Sequence, residues 1–129
     1  MSTQFSAGFE GDSASMGDSH MRRVHGSIDR AIGVLDEETA ALRAGGAVDM
    51  IEFSRRKGQC LIELSRLMGQ QPDLQQRLEF ASPLDELRRK TDENALLLKA
   101  HMQAIEEVVQ IVHGAIESEA SDGTYSRTL

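Results

Sequence analysis

Apolar residues recur along this chain at alternating intervals of three and four positions, the spacing that lines up one face of a helix. The first series runs Met21, Val24, Ile28, Ala31, Leu35 and then Leu42. It predicts a helix over about residues 20–44, with Ser19 as a cap and Gly45-Gly46 as its end, because paired glycines supply the left-handed backbone of a helix C-terminus. Glu38 falls on this seam between Leu35 and Leu42, so one layer is polar. A second series, Met50, Phe53, Lys57, Cys60, Leu64 and Leu67, predicts a helix over about 48–68, flanked by Ile51, Leu61 and Met68. The short loop between the two returns the chain antiparallel.

Gly69-Gln70-Gln71-Pro72 breaks the pattern, and a short helical piece is expected over 73–79. Ser82-Pro83-Leu84-Asp85-Glu86 then reads as a helix start: an N-cap serine, a proline at the first helical position and two acids at the positive end of the dipole. The third helix is expected over 83–118, roughly 54 Å at 1.5 Å per residue. Its seam is Leu84, Leu87, Thr91, Asn94, Leu98, His101, Ile105, Val108, Val112 and Ala115. Up to Asn94 the apolar face is narrow. Beyond it both flanks turn apolar, with Ala95, Met102, Val109 and Ile116 on one side and Leu97, Ala104 and Ile111 on the other. A face that wide meets neighbours on two sides, inside a bundle or beneath a partner helix.

The ends carry no such pattern. Residues 1–19 are rich in Gly and Ser, acidic and without Lys or Arg, and residues 119–129 are polar; both read as flexible tails. The expectation is an all-α protein, an antiparallel three-helix bundle of coiled-coil character with a long third helix and disordered termini. Composition agrees: aromatics are 4% of the 129 residues, with no Trp and two prolines. A net charge of −7 argues against nucleic acid as a partner. With no apolar run near the ~20 residues of a membrane span and no secretory pattern in the first residues, a soluble cytoplasmic protein is expected.

Little here suggests reaction chemistry. His101 and His113 are too far apart to share an ion from one helix, and no Glu precedes a His by three residues, so no metal or cofactor is expected. His113 and Glu117 read as a surface contact and His101 as a hydrogen-bonded polar layer. Cys60 reads as a small buried hydrophobe beside Lys57. The runs Arg55-Arg56-Lys57 and Arg88-Arg89-Lys90 are balanced by acids nearby and read as solvated helix faces. No phosphate loop or nucleophile motif is present, and an enzyme is not expected. What remains is helix-surface binding, for which Leu98, Met102, Ile105, Val109, Val112 and Ile116 supply anchors at helical spacing. The same residues also fit the bundle's own core.

Three stretches carry a family resemblance. They are Leu84-Asp85-Glu86-Leu87 followed by Asp92-Glu93-Asn94-Ala95-Leu96-Leu97-Leu98-Lys99-Ala100 and Ile105-Glu106-Glu107-Val108-Val109; the tail Gly123-Thr124-Tyr125; and Leu35 to Gly45 with Phe53 to Leu67. Together, over about residues 20–126, they resemble the FlgN-type flagellar export chaperones. The acidic N-terminal tail and the segment Gln70 to Phe80 depart from that family's pattern. The resemblance implies a cytoplasmic chaperone without ATPase activity, monomeric or weakly dimeric. It would bind terminal helices of hook-associated (hook–filament junction) proteins, prevent their premature assembly and deliver them to the export gate of the flagellar type III system, with Tyr125 matching the gate-docking role. Two other classes stay open: a homodimeric helical adaptor without a secretion client, and a helical enzyme using Cys60 or His101.

Overall fold

The computed structural model describes residues 2–70 and 73–128, with side chains for 16–70 and 73–121. Three helices account for the fold: α1 (Ser2–Ala44), α2 (Met50–Met68) and α3 (Leu74–Thr128). No strand occurs among the described residues. By internal contacts the chain divides into two units, Met1–Asn94 and Ala95–Leu129.

In the first unit the helix boundaries follow from local chemistry. α1 ends at Ala44 and Gly45 takes φ +76°, the conformation a side chain would strain. Asp49 caps α2 by accepting the Glu52 backbone N–H at 3.0 Å. Gly69 closes α2 with its N–H on the Ser65 carbonyl at 3.0 Å. A Cβ at Gly69 would sit 3.2 Å from that same oxygen.

Pairs between helices give the topology. Arg30 meets Glu63 and Glu37 meets Arg56, so α1 and α2 run antiparallel. His25 meets Phe80 while Asp36 meets Lys90, so α1 and α3 run parallel. The result is an up-down-up bundle of three helices. Val24, Ile28 and Phe80, all fully buried, form its centre, with Met21, Leu64, Leu67, Met68, Leu84 and Leu87 packed around them.

Two boundaries differ from the sequence reading. Helical backbone extends to Ser2 and Thr128 rather than stopping near 20 and 118. No proline stands in either extension, and adding a residue to an existing helix makes one hydrogen bond without a new nucleus. The side chains of residues 1–15 and 122–129 lie outside the described residues, and the tails' own character goes with them.

The second difference is at Pro83. Instead of opening a helix after a short separate piece at 73–79, it lies inside the continuous α3. A proline there removes the N–H that would meet the Glu79 carbonyl. Phe80 before it and Leu84 after it are held by the same apolar cluster, which keeps the two turns in line. Asp73 provides the cap instead, accepting the Gln76 N–H at 2.8 Å while the Gln76 side chain accepts from Asp73 N–H at 3.2 Å. This is a reciprocal capping box.

Candidate functional site

The expected binding residues lie in the second unit, where α3 has no neighbouring element of its own. Every residue from Met102 to Ser121 is exposed, and Leu98 is half-buried. The exposure of the large apolar side chains runs from 48% at Ile105 to 71% at Ile111. Met102, Val109, Val112 and Ile116 fall in that range. At 100° per residue, Leu98, Met102, Ile105, Val109, Val112 and Ile116 occupy an arc of roughly 80°. Val108 and Ile111 widen the apolar arc to roughly 180°, half the helix circumference. These residues are therefore not the core of the three-helix bundle. A contiguous exposed apolar stripe of this kind, rimmed by polar residues, marks a surface suited to a protein partner. Tyr125, the residue matching gate docking, lies outside the described residues.

His101, half-buried on the same helix, makes no hydrogen bond among the described residues, so the polar layer read there is elsewhere. His113 and Glu117 stand 3.9 Å apart, both well exposed. No group of three potential ligands for a metal ion occurs among the described residues.

The polar layer is in the first unit, at the end nearest the Gly45 turn. Three seam positions, Glu38, Lys57 and Asn94, are brought together. Lys57 Nζ donates to Glu38 Oε1 at 2.7 Å and to Asn94 Oδ1 at 3.4 Å, and Asn94 Nδ2 donates to Thr39 Oγ1 at 3.4 Å. Glu38 is 1% exposed and Asn94 3%. Sliding α2 by one turn would leave a buried carboxylate in an apolar layer, so this contact disfavours wrong registers.

Other groups also differ from the sequence reading. Arg55-Arg56-Lys57 does not form one solvated face. Arg55 pairs with Glu52, Lys57 enters the polar layer, and Arg56 pairs with Glu37 while its guanidinium lies 5.6 Å over the Phe53 ring. The Arg56 hydrogen bond and charge hold the Glu37 carboxyl below its ordinary 4.5, and Arg55 does the same to Glu52. Of the second run, Arg89 approaches Glu86 at 3.9 Å and Lys90 pairs with Asp36 at 2.9 Å. Cys60 is half-buried, not enclosed, because α2 has no fully buried residue. With Leu35, Leu61, Leu64 and Leu87 it lines an apolar groove of about 210 Å³.

The largest core side chain is one the sequence reading left out. Phe80 is fully buried, with the His25 ring against it at 5.2 Å, edge to face. The signal was present: the three-four seam of α3 extends back from Leu84 to Phe80 once the proline is not treated as a stop. His20 and Ser27 bury polar atoms that have no hydrogen-bond partner among the described residues.

Comparison with known proteins returns no matching family model, no similar curated protein and no similar solved structure. No described helix is long and apolar enough to cross a membrane.

Proposed function

We propose that this protein is a small non-enzymatic chaperone of the FlgN type, acting in the cytoplasm on terminal helices of hook-associated proteins before their export. The observation that carries the reading is the half-circumference apolar face on residues 95–121, left to solvent while the bundle completes its own core elsewhere. An amphipathic client helix laid on Leu98, Met102, Ile105, Val109, Val112 and Ile116 would cover its own apolar stripe and theirs together. Met102 adds a side chain that repacks around different client surfaces. The C-terminal segment with Tyr125 follows as the part that addresses the export gate.

The test is light scattering on a sizing column, with the protein alone and mixed with a terminal fragment of the same organism's hook–filament junction protein. The chaperone reading expects a stable complex that Val109→Asp abolishes. The variant's urea-unfolding midpoint, which reads the three-helix core, should stay unchanged, since Val109 is exposed. A tight homodimer indifferent to the fragment would sink this reading in favour of the adaptor. That second reading draws on the same face: apolar residues at four of seven heptad positions suit a multi-helix assembly of copies.

A further inference from the structure

Between α1 and α2, on the first unit, runs an open groove of about 470 Å³ lined by Arg22, Arg23, Arg30, Arg66 and one acid, Glu63, with Ser19, Gly26 and Leu67 completing it. Arg30 and Glu63 pair with each other across the two helices within it, which leaves the groove's other three cations without that acid. Acids outnumber bases in this chain, 21 to 14, and most described cations are paired. Arg22, Arg23 and Arg66 have no ion-pair partner among the described residues; of the remaining described cations only Arg88 and Lys99 share that condition. Three uncompensated guanidiniums thus converge on one groove of an acidic protein.

We propose that this groove is a docking site for an acidic segment of a partner protein, its carboxylates forked by Arg22, Arg23 and Arg66. Guanidinium groups bind carboxylates in a planar two-point geometry. The half-buried Leu67 offers an apolar contact beside the charges. A small inorganic anion in so open a groove would be screened by salt, whereas a segment with several carboxylates engages all three arginines at once. The site does not depend on the chaperone reading, because it uses no residue beyond 94.

The test uses the full chain and a fluorescein-labelled dodecapeptide of alternating glutamate and serine, followed by fluorescence anisotropy at about 50 mM salt. This probe has no apolar residue and so does not engage the face on α3. Saturable binding is expected, weakened about tenfold by the triple variant Arg22→Ser, Arg23→Ser, Arg66→Ser and unchanged by Arg88→Ser. Arg66→Ser alone should weaken it by about threefold, which keeps the test decisive if the triple variant loses helicity. Equal binding by wild type and Arg66→Ser, displacement by low-millimolar inorganic phosphate, or tighter binding of a charge-matched single-stranded oligonucleotide would each overturn the proposal.

Discussion

Glu38 and Lys57 show how one residue pair governs a bundle this small. A carboxylate 1% exposed is tolerable only with its partner in place. Lys57→Met should therefore destabilise the protein by about 3 kcal/mol in urea unfolding, toward the lower end of the range for broken buried pairs because Lys57 itself stays 28% exposed. The double variant Glu38→Met, Lys57→Met should recover most of that loss. A double variant no better than the single one would show that the layer contributes through something other than the charge pair. Glu37 makes a contrasting case at the surface. Its folded pKa is depressed by Arg56, so the contribution of this pair is complete above the unfolded value and is lost as pH falls through the folded one. Urea midpoints of wild type should fall more steeply than those of Glu37→Gln below about pH 4.5, and added salt should narrow the difference. Parallel acid slopes would remove Glu37 from that account. Glu38, Lys57 and Asn94 were visible in the sequence as polar residues on apolar seams, and Thr39 was not. Their meeting was not, since spacing along a helix says nothing about which layer of the next helix faces it.

At the scale of the element, α3 was legible except at Pro83 and at its C-terminal end, which runs on to Thr128. The sequence offered a serine, a proline and two acids in the order of a helix start, and local chemistry alone favours a break there. Packing decides otherwise, because Phe80 belongs to the same core as Leu84 and Leu87. The two arrangements differ in a measurable way. If Pro83 lay at a first helical position, Pro83→Ala would be neutral or slightly destabilising, through a freer unfolded chain. Inside a continuous helix the same substitution restores a donor to the Glu79 carbonyl and should stabilise by about 1–3 kcal/mol, read from thermal melts. Phe80→Ala should cost about 3–5 kcal/mol, since it empties the centre of the bundle. A loss below about 1 kcal/mol would mean that the core closes without that ring.

Across the whole molecule, the fold class followed from composition and periodicity, whereas the division of labour among surfaces did not. A wide apolar face reads the same in a sequence whether it is core or interface; exposure distinguishes them, and exposure depends on where the other helices stop. The arginine groove was similarly hidden, because Arg22 and Arg23 are more than forty residues from Arg66 and only the antiparallel return of α2 brings them to one place. The basic runs are largely neutralised by the acids near them, whereas Arg22, Arg23 and Arg66 have no ion-pair partner among the described residues.

Residues 95–121 form a helix with no neighbour in its own unit, and this sets the terms on which it can hold anything. A helix without flanking support draws little order from propensity alone. Under the chaperone reading, gripping a client and being helical would be two sides of one equilibrium, and part of the contact free energy would go into ordering the binder. Such a binder holds firmly while both surfaces are covered and lets go readily once a competing process pulls at one end. Gly114 sits on this helix with open space where a Cβ would be. Under the chaperone reading, Gly114→Ala should raise helix propensity by about 1 kcal/mol and tighten the client complex by up to about fivefold, chiefly through a slower off-rate, as titration calorimetry and stopped-flow would show. Delivery would suffer from the same change: a variant that holds its cargo longer should export it more slowly, so that glycine would act as a timer on hand-over.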